Sequence, residues 1–249
     1  MDQAFYIGAV GAHQQLRHLN IQGDNIANVK SQGYKAHKAR FANLMYQKDS
    51  RTAGDAQDKG VGTRVMMTGT DFGQGPAADT GRVMDYMIYG RGFFAVREPD
   101  TGEISYTRNG AFKMSEMLTD TGETDEEGQP VMEAVFYLSD GLGRMVLDQN
   151  EELIPLDSPN QEDLPIGIFD FDNYDGMIDL DGTRFQPVAK NGEVRPGSGT
   201  LIGRYLESSN MDLAEALTKV IEAQRAYGLA LKVVQTSDEV ETTINNLRG

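Results

Sequence analysis

The sequence predicts an α+β fold in which a long helix at each end of the chain flanks a central, mostly antiparallel β domain. Three observations support this class. Apolar residues recur at helical spacing near both ends, all eight prolines lie between Pro76 and Pro196, and short apolar runs separated by Gly, Asp, Asn and Pro fill the centre. A chain of 249 residues is long enough for one large or two modest domains.

The first element is predicted to be a helix from about Gln3 to Ala27. Its seam positions alternate steps of four and three, as in a coiled coil; they are Phe5, Ala9, Ala12, Leu16, Leu19, Gly23 and Ile26. Several of these residues are small, so a partner could approach closely. An ordinary amphipathic helix packed on a core fits the same spacing, and the pattern leaves both interpretations open.

The last element is predicted to be a second helix, from about Asp212 to Leu247, capped by Ser209 or Asn210. Its seam runs through Leu213, Leu217, Val220, Gln224, Tyr227, Leu231 and Val234, and then shifts by a stammer to Ser237, Val240, Ile244 and Leu247. Each helix would be marginal alone in water, so we expect the ends of the chain to associate.

Between the helices, the polar and aperiodic stretch 47–62 predicts a linker or extended arm. Strands are predicted at Tyr86–Tyr89, Phe93–Val96, Val131–Leu138 and Leu164–Phe169. We therefore expect a terminal helical assembly domain over residues 1–46 and 206–249, an extended arm over 47–80, and a central β domain over 81–205.

The net charge of −15 is concentrated in the middle of the chain and argues against a nucleic-acid partner. Residues 51–209 carry 13 Lys and Arg against 29 Asp and Glu, whereas the two ends are nearly neutral. The absence of cysteine excludes disulfides and cysteine-based chemistry. We also expect no membrane insertion and no cleaved signal peptide, because the apolar runs are short and the start lacks a basic n-region.

Each candidate for metal binding or catalysis has a simpler interpretation. His13 and His18 are five residues apart and fall on different helix faces. The segment 170–176 resembles a calcium loop, but it has Tyr174 where an oxygen ligand is needed and lacks the final Glu; a weak calcium site there stays open. The acidic residues at 120–127 are interpreted as a solvated loop. We expect no catalytic residue, no cofactor and no metal.

Five motifs follow one another along the chain: Asn25–Lys35, Gly90–Val96, Tyr106–Phe112, Leu206–Asp212 and Ala223–Tyr227. In kind and order they resemble the flagellar rod and hook family of axial proteins. The chain departs from the family pattern at Gly23–Asn25 and at Ser31, and it matches least well in the arm and at residues 119–130.

The resemblance implies a structural subunit of the bacterial flagellar basal-body rod, of the distal-rod type in preference to the proximal-rod type. Such a subunit is exported by the flagellar type III apparatus without a cleaved signal, and it assembles helically outside the cytoplasmic membrane. Its partners would be further copies of itself, other rod, hook and junction proteins, and the export apparatus. A hook or hook-junction protein is the alternative, and a secreted glycan- or calcium-binding β domain is a further one. No enzymatic activity is expected.

The seams and the family motifs together predict the residues of the assembly interface. Asn25 and Asn28 are expected to cap the first helix, and Gly33 to form a left-handed turn before Tyr34. Polar residues beside the second seam are expected to set its register. The full predicted set is Leu16, Leu19, Asn25, Ile26, Asn28, Gly33, Tyr34, Leu213, Leu217, Val220, Gln224, Arg225, Tyr227 and Leu231.

Overall fold

The computed structural model describes residues 3–43, 47–48, 58–59, 63–124, 130–158, 161 and 163–248. Its α+β architecture, with a helix near each end and an antiparallel sheet between them, confirms the predicted fold class. The chain forms two compact units. The helix unit comprises Met1–Asn28, Ala36–Asp71 and Met211–Gly249, and the sheet unit comprises Val29–Lys35 and Phe72–Asn210.

The helix unit pairs the two long helices and adds short strands. Its elements are α1 (Gln3–Ala27), β1 (His37–Asn43), β2 (Gln47–Lys48), β3 (Asp58–Lys59), β4 (Thr63–Thr70) and α2 (Leu213–Arg248). β1 pairs with β4 in antiparallel register with a shift between Arg40 and Phe41, and β2 pairs with β3. Both β1 and β4 lie against α1, which packs along α2.

The N-cap of α2 is Asp212, not Ser209 or Asn210 as the sequence suggested. Asp212 Oδ1 accepts hydrogen bonds from the backbone N–H of Ala214 at 2.8 Å and of Glu215 at 3.2 Å. An aspartate in this position satisfies two of the free amides at the helix start and complements the helix dipole. The capping residue therefore lies immediately before the 36-residue helix.

In the part of the chain that the structure describes, the sheet unit contains thirteen strands and one turn of 3-10 helix at Ala189–Asn191. The strands are β5 (Ala77–Asp79), β6 (Tyr86–Tyr89), β7 (Phe94–Arg97), β8 (Ile104–Thr107), β9 (Lys113–Thr124), β10 (Pro130–Ser139), β11 (Met145–Val146), β12 (Phe169–Asp170), β13 (Ile178–Asp179), β14 (Arg184–Gln186), β15 (Arg195–Pro196), β16 (Thr200–Gly203) and β17 (Tyr205–Glu207). Seven of them form a sheet in the order β13-β14-β8-β7-β11-β10-β9. The strand pairs β16-β6, β17-β5 and β12-β15 complete the unit.

The seven-stranded sheet is covered on both faces, as the alternation along Phe93, Phe94, Ala95 and Val96 shows. Phe94 and Val96 belong to one buried cluster, whereas Phe93 and Ala95 belong to another. Successive residues of a strand point to opposite faces, so the two clusters lie on opposite faces of the sheet. This double covering explains why the strands around Phe93–Val96 read as continuous apolar runs.

The predicted strand at Tyr86–Tyr89 is confirmed as β6, and those at Phe93–Val96 and Val131–Leu138 are close to β7 and β10. The prediction at Leu164–Phe169 is wrong for most of its length, because only Phe169 belongs to a strand. Its apolar residues Leu164, Ile166 and Ile168 are buried in the same cluster as Phe94 and Val96, but their backbone is irregular. Asp120 and Glu123 lie in β9 and not in the predicted loop.

Within the predicted arm, 47–80, the structure shows strand β4, which belongs to the helix unit, and strand β5, which belongs to the sheet unit. Other parts of that region, residues 49–57 and 60–62, lie outside the described residues, as do 44–46 at the end of the predicted segment 1–46 and 125–127 of the acidic segment. The functional division into an assembly domain, an arm and a β domain stays a prediction.

Candidate assembly surface

The two terminal helices meet along a seam of small residues. Gly8 and Ala12 are buried on α1, and Ala216, Ala223 and Ser237 are buried on α2. Small side chains let two helix backbones approach closely, and they bury little apolar area for each residue. The contact between the helices therefore leaves their larger side chains for other surfaces.

Gly8 marks the closest approach along this seam. A Cβ atom at Gly8 would lie 3.0 Å from Val234 Cγ2, 3.2 Å from the Ala230 carbonyl oxygen and 3.3 Å from Val233 Cγ1. A Cβ atom fits at these distances only if the neighbouring groups of α2 move by a few tenths of an ångström. Packing against α2, and not backbone conformation, therefore favours glycine at position 8.

The buried stripe of α2 keeps an unbroken heptad spacing. Its buried and half-buried residues are Ala216, Val220, Ala223, Tyr227, Ala230, Val234 and Ser237. Among the described residues of α2 this stripe has no break at Val234, so the contact with α1 does not follow the predicted stammer. The stammer resulted from following the large apolar residues, whereas the helix contact follows the small ones.

The large apolar residues of α2 form two exposed stripes on different faces of the helix. The first stripe consists of Leu213, Leu217, Ile221 and Leu231, and the second consists of Leu229, Val233, Val240, Ile244 and Leu247. Leu217 is 48% exposed, Ile244 is 50% exposed and Leu247 is 83% exposed. Their steps of three and four residues, or sums of these, give each stripe a common face.

The second stripe borders a groove in the helix unit. The groove has a volume of ≈ 320 Å³ and is lined by Ala4 of α1 and by Lys232, Val233, Thr236, Ser237 and Val240 of α2. On α1, the large apolar residues Phe5, Tyr6, Ile7 and Leu16 are also exposed. The paired helices thus present apolar surface along much of their length.

The predicted interface residues of the two helices divide between solvent and the helix contact. On α1, Leu16 is exposed, whereas Leu19 and Ile26 are half-buried. On α2, the exposed members are Leu213, Leu217, Gln224, Arg225 and Leu231, and the half-buried members are Val220 and Tyr227. The structure therefore brings Leu213, Leu217 and Leu231 together on the first exposed stripe.

Asn25 and Asn28 have different roles at the end of α1. Asn28 donates from its backbone N–H and from Nδ2 to the Asp24 carbonyl, at 3.1 and 3.0 Å, so it caps the helix as expected. Asn25 is buried and binds strand β1 instead: its Nδ2 donates to the His37 carbonyl at 2.9 Å, and its Oδ1 accepts from the His37 N–H at 2.8 Å. This paired bond fixes the start of β1 to the helix.

Gly33 and Tyr34 lie inside the sheet unit, where neither presents a side chain to solvent. Gly33 has a φ of +68°, and a Cβ there would collide with the backbone of Arg108 and Asn109. The N–H of Gly33 donates to the Glu207 carbonyl at 2.7 Å. The left-handed turn predicted at Gly33 is confirmed, and close backbone approach gives a second reason for glycine.

Sequence reasoning missed a buried ion cluster formed by Lys35, Arg108 and Glu207. Lys35 Nζ lies 2.5 Å from Glu207 Oε1, and Arg108 Nη1 lies 3.1 Å from Glu207 Oε2. The side chains are at most 4% exposed. All three residues belong to family-like motifs, which suggests that these motifs serve the interior of the sheet unit as well as assembly.

Backbone groups on several segments bind the cluster, and only Arg108 Nε among its described charged atoms is buried without a hydrogen-bond partner. Lys35 Nζ donates to the Gly73 carbonyl at 2.8 Å, and Glu207 Oε1 accepts from the Gly75 N–H at 2.7 Å. Arg108 Nη2 donates to the Gly90 carbonyl at 2.7 Å. Buried charges are tolerated when they are paired and hydrogen-bonded in this way. One sequence signal could have indicated the cluster: a single charged residue stands in each of three otherwise uncharged stretches.

The segment 170–176, which resembles a calcium loop, is held by contacts among Asp170, Tyr174 and Arg91. Asp170 Oδ1 accepts a hydrogen bond from the Tyr174 hydroxyl, and Asp170 Oδ2 lies 3.4 Å from Arg91 Nε. Burial, together with the bond to Asp170, raises the pKa of Tyr174. In the part of the chain that the structure describes, no group of three or more His, Asp or Glu side chains is placed to hold a metal ion.

Comparison with known proteins agrees with this architecture. The family "Flagellar hook protein FlgE/F/G D1 domain" matches residues 87–152, and "Flagellar basal body rod FlgEFG protein C-terminal" matches residues 202–247. The flagellar basal-body rod protein FlgG of Borreliella burgdorferi is 30% identical and covers 100% of this chain and 99% of its own length. FlgG of Buchnera aphidicola is 29% identical over 96% of this chain and 97% of its own, and FlgF of Caulobacter vibrioides is 29% identical over 96% and 95%.

The chain combines a sheet domain with paired terminal helices, and the two flagellar families match it. Together these features define the class of flagellar axial proteins. Within that class, the chain belongs to the family of flagellar basal-body rod proteins, and the distal-rod type, FlgG, is favoured. Neither helix of the described residues has an apolar stretch that could cross a membrane.

Proposed function

We propose that this chain is a structural subunit that polymerises through its terminal helices into the tubular rod of the bacterial flagellum. The observation that carries the proposal is the distribution of apolar side chains on α2. The helix pair buries Ala216 and Ala223, while Leu217, Ile221 and Ile244 stay about half exposed. An exposed apolar surface of this extent on a soluble subunit marks a surface that is covered by other molecules.

The exposed stripes also provide enough free energy for assembly. Fully covering an exposed valine, leucine or isoleucine side chain contributes about 1.5–3 kcal/mol, and covering one that is already half buried contributes about half of that. Each stripe carries four or five such residues, so lateral contacts between copies can offset the entropy lost on association. Because the two stripes lie on different faces of α2, one helix can contact two neighbours.

Family membership supports the further parts of the proposal. The chain would be exported by the flagellar type III apparatus without a cleaved signal and would act outside the cytoplasmic membrane. Its partners would be further copies of itself and other rod, hook and junction proteins. The role is mechanical, and no catalysis is assigned to it.

Complementation of a strain that lacks this gene tests the proposal. Substitutions Leu217→Asp and Ile244→Asp place a charge on each exposed stripe without altering the buried seam. We expect the purified variants to keep the helicity and sheet protection of the parent chain, while rods isolated from the cells are absent or truncated. Electron microscopy of isolated basal bodies provides the measurement.

Thr218→Asp is the matched control, because Thr218 is exposed on α2 but lies on neither stripe. Rods should form normally with this variant. Normal rods with both stripe variants would contradict assembly through the helices. If the deletion strain completed rod and hook without this chain, the rod function itself would be excluded.

A further inference from the structure

Two glycines inside the long helices have no packing role within their own chain. Among the described residues, no atom lies within 4 Å of a Cβ built at Gly23 of α1 or at Gly228 of α2. Neither glycine has a positive φ, and a glycine inside a helix lowers its stability relative to alanine. The fold of a single chain therefore gives no reason for glycine at these two positions.

The helices that carry these glycines are antiparallel. Gly8 of α1 lies beside Val234 of α2, and three residues later Gly11 lies beside Ala230. In such a pair, residues turned by the same angle from the contact lie on the same side of the pair. One residue corresponds to a turn of about 100°. Residues that directly follow a contact residue therefore share one side, and residues that directly precede one share the other.

Gly23 and Gly228 lie on the same side of the helix pair. Gly23 directly follows the buried Gln22, and Gly228 directly follows the half-buried Tyr227. Four large apolar residues follow contact residues in the same way. Together with the glycines they form what we call the glycine face, which consists of Leu16, Gly23, Leu217, Ile221, Gly228 and Leu231.

The glycine face combines exposed apolar side chains with two hollows. Leu16 is 44% exposed and Ile221 is 51% exposed. Each lies seven residues before a glycine of its own helix, which is two helical turns away on the same face. A face of this kind lets the backbone of another helix approach closely, because the glycines leave room for its side chains.

The charge of the glycine face distinguishes it from most of the chain. None of its six residues is charged, whereas the chain has a net charge of −15. In the whole of α1, the residues of the four charged types are Arg17 and Asp24. Acidic copies repel one another on average, so an uncharged face is where two copies can approach each other most easily.

The second exposed stripe of α2 lies on the opposite side of the helix pair. Its residues Leu229 and Val233 directly precede the half-buried Ala230 and Val234. The stripe is uncharged as well, and Leu229 is 64% exposed. A contact between the glycine face of one copy and the second stripe of another joins two different surfaces, so it can repeat from copy to copy.

We infer that the second stripe of one copy packs on the glycine face of the next, with large aliphatic side chains seated over Gly23 and Gly228. The contact rests on the proposed assembly of this chain into a rod, and it adds close helix approach at two defined positions. The occupant is a second copy of this chain, because both surfaces are uncharged in an acidic protein and because their opposite positions let the contact repeat.

Filling the hollows tests the contact. Gly23→Leu and Gly228→Leu should leave the purified chain as helical as the parent or more so, as measured by circular dichroism at 222 nm. In the deletion strain, we expect each variant to give at least about tenfold fewer rods by electron microscopy, because an overpacked helix contact is destabilised. Thr218→Leu is the matched control: it adds the same side chain at an exposed position outside both surfaces, and rods should form normally.

Cross-linking identifies the partner surface, because the chain contains no cysteine. Ile221→Cys/Val233→Cys places one thiol on each surface, about 18 Å apart along the same helix, which is too far for a disulfide within one chain. We expect oxidised rods of this variant to give a ladder of multimers. Neither single variant should give a ladder, and neither should Thr218→Cys/Val233→Cys.

The two experiments separate this contact from the rod function. Normal numbers of rods with both leucine variants would overturn the contact, as would intact Ile221→Cys/Val233→Cys rods without a ladder or dimers from Ile221→Cys alone. Each of these results leaves the rod function intact. If a leucine variant loses helicity, the cross-linking result decides. A parent chain that never enters rods would instead overturn the proposed function.

Discussion

The sheet unit and the helix unit place their large apolar side chains in opposite ways. In the sheet unit, Phe94, Phe112 and Phe185 are 0% exposed, and the core covers both faces of a seven-stranded sheet. In the helix unit, Leu217 and Ile244 are about half exposed, and the helix contact buries glycine and alanine. The sheet unit thus completes its core within one chain, whereas the helix unit leaves apolar surface for other copies.

The largest expected effect comes from removing the buried carboxylate of Glu207 from the sheet unit. Substitution Glu207→Gln leaves Lys35 and Arg108 buried without their carboxylate. Loss of one partner from a buried ion pair costs about 3–5 kcal/mol, a large part of the stability of a domain. Urea unfolding measures the loss of stability, and hydrogen exchange of peptides from β7 and β8 shows whether the sheet unit loses it.

Glu215→Gln is the matched control for that substitution. Glu215 forms a largely exposed pair with Lys219 at 2.6 Å, and such pairs contribute less than about 1 kcal/mol. Equal stability losses for the two variants would show that the buried cluster adds nothing to the sheet unit beyond an ordinary surface pair.

The next largest effect tests whether the helix contact depends on small residues. Gly8→Leu places a side chain against Val234 and Ala230, and overpacking of this kind costs about 1–3 kcal/mol. We expect faster exchange of α1 and α2 amides, with the sheet unit unchanged. Circular dichroism at 222 nm, compared with the parent chain, would detect the lost helicity.

Gly23→Leu on the same helix provides the control, because no atom lies within 4 Å of a Cβ built there. Replacing a helical glycine gains up to about 1 kcal/mol, so this variant should be as helical as the parent or more so. A destabilising Gly23→Leu together with a neutral Gly8→Leu would show that the helices do not pack through the small-residue seam.

The smallest effect concerns the response of the helix pair to pH. Burial, together with the charge of Lys219, lowers the pKa of His18 below 6.5 despite an opposing contribution from Glu222. The unfolded chain therefore binds more protons than the folded one in the window below pH 6.5, and helix-pair stability falls as the pH drops through that window.

Both His18→Asn and Lys219→Met should make the stability of the helix pair depend less on pH. Unfolding of the helices between pH 8 and pH 5 measures the difference between each variant and the parent chain. An identical pH profile in the parent and in His18→Asn would contradict a role for His18. If the sheet unit stays folded over the same pH range, the pH response belongs to the helix unit.

The sequence predicted the helices and the general fold better than it predicted their contacts. Helical spacing depends on local chain geometry, so α1 and α2 were found within a few residues. The seam was misassigned because Leu217 and Leu231 are the larger apolar residues, and size was taken as a sign of burial. In this pair, close approach at Gly8 and Ala12 decides which face is inside.

Long-range features were harder to predict, because no local pattern encodes them. Strand β4 pairs with β1 across an intervening polar stretch, and sequence periodicity alone did not reveal that pairing. The burial of Lys35, Arg108 and Glu207 was likewise not predicted, since charged residues are rarely fully buried unless paired. Their partners become visible only when segments far apart in sequence are brought together.

The Lys35–Glu207 pair also joins the beginning of the sheet unit to its end. These two residues are 172 positions apart, so during synthesis from the N-terminus Lys35 and Arg108 are present long before their carboxylate. Until Glu207 is available, burying the two cations is unfavourable. The interior of the sheet unit can therefore close around this cluster only when the chain up to Glu207 is present.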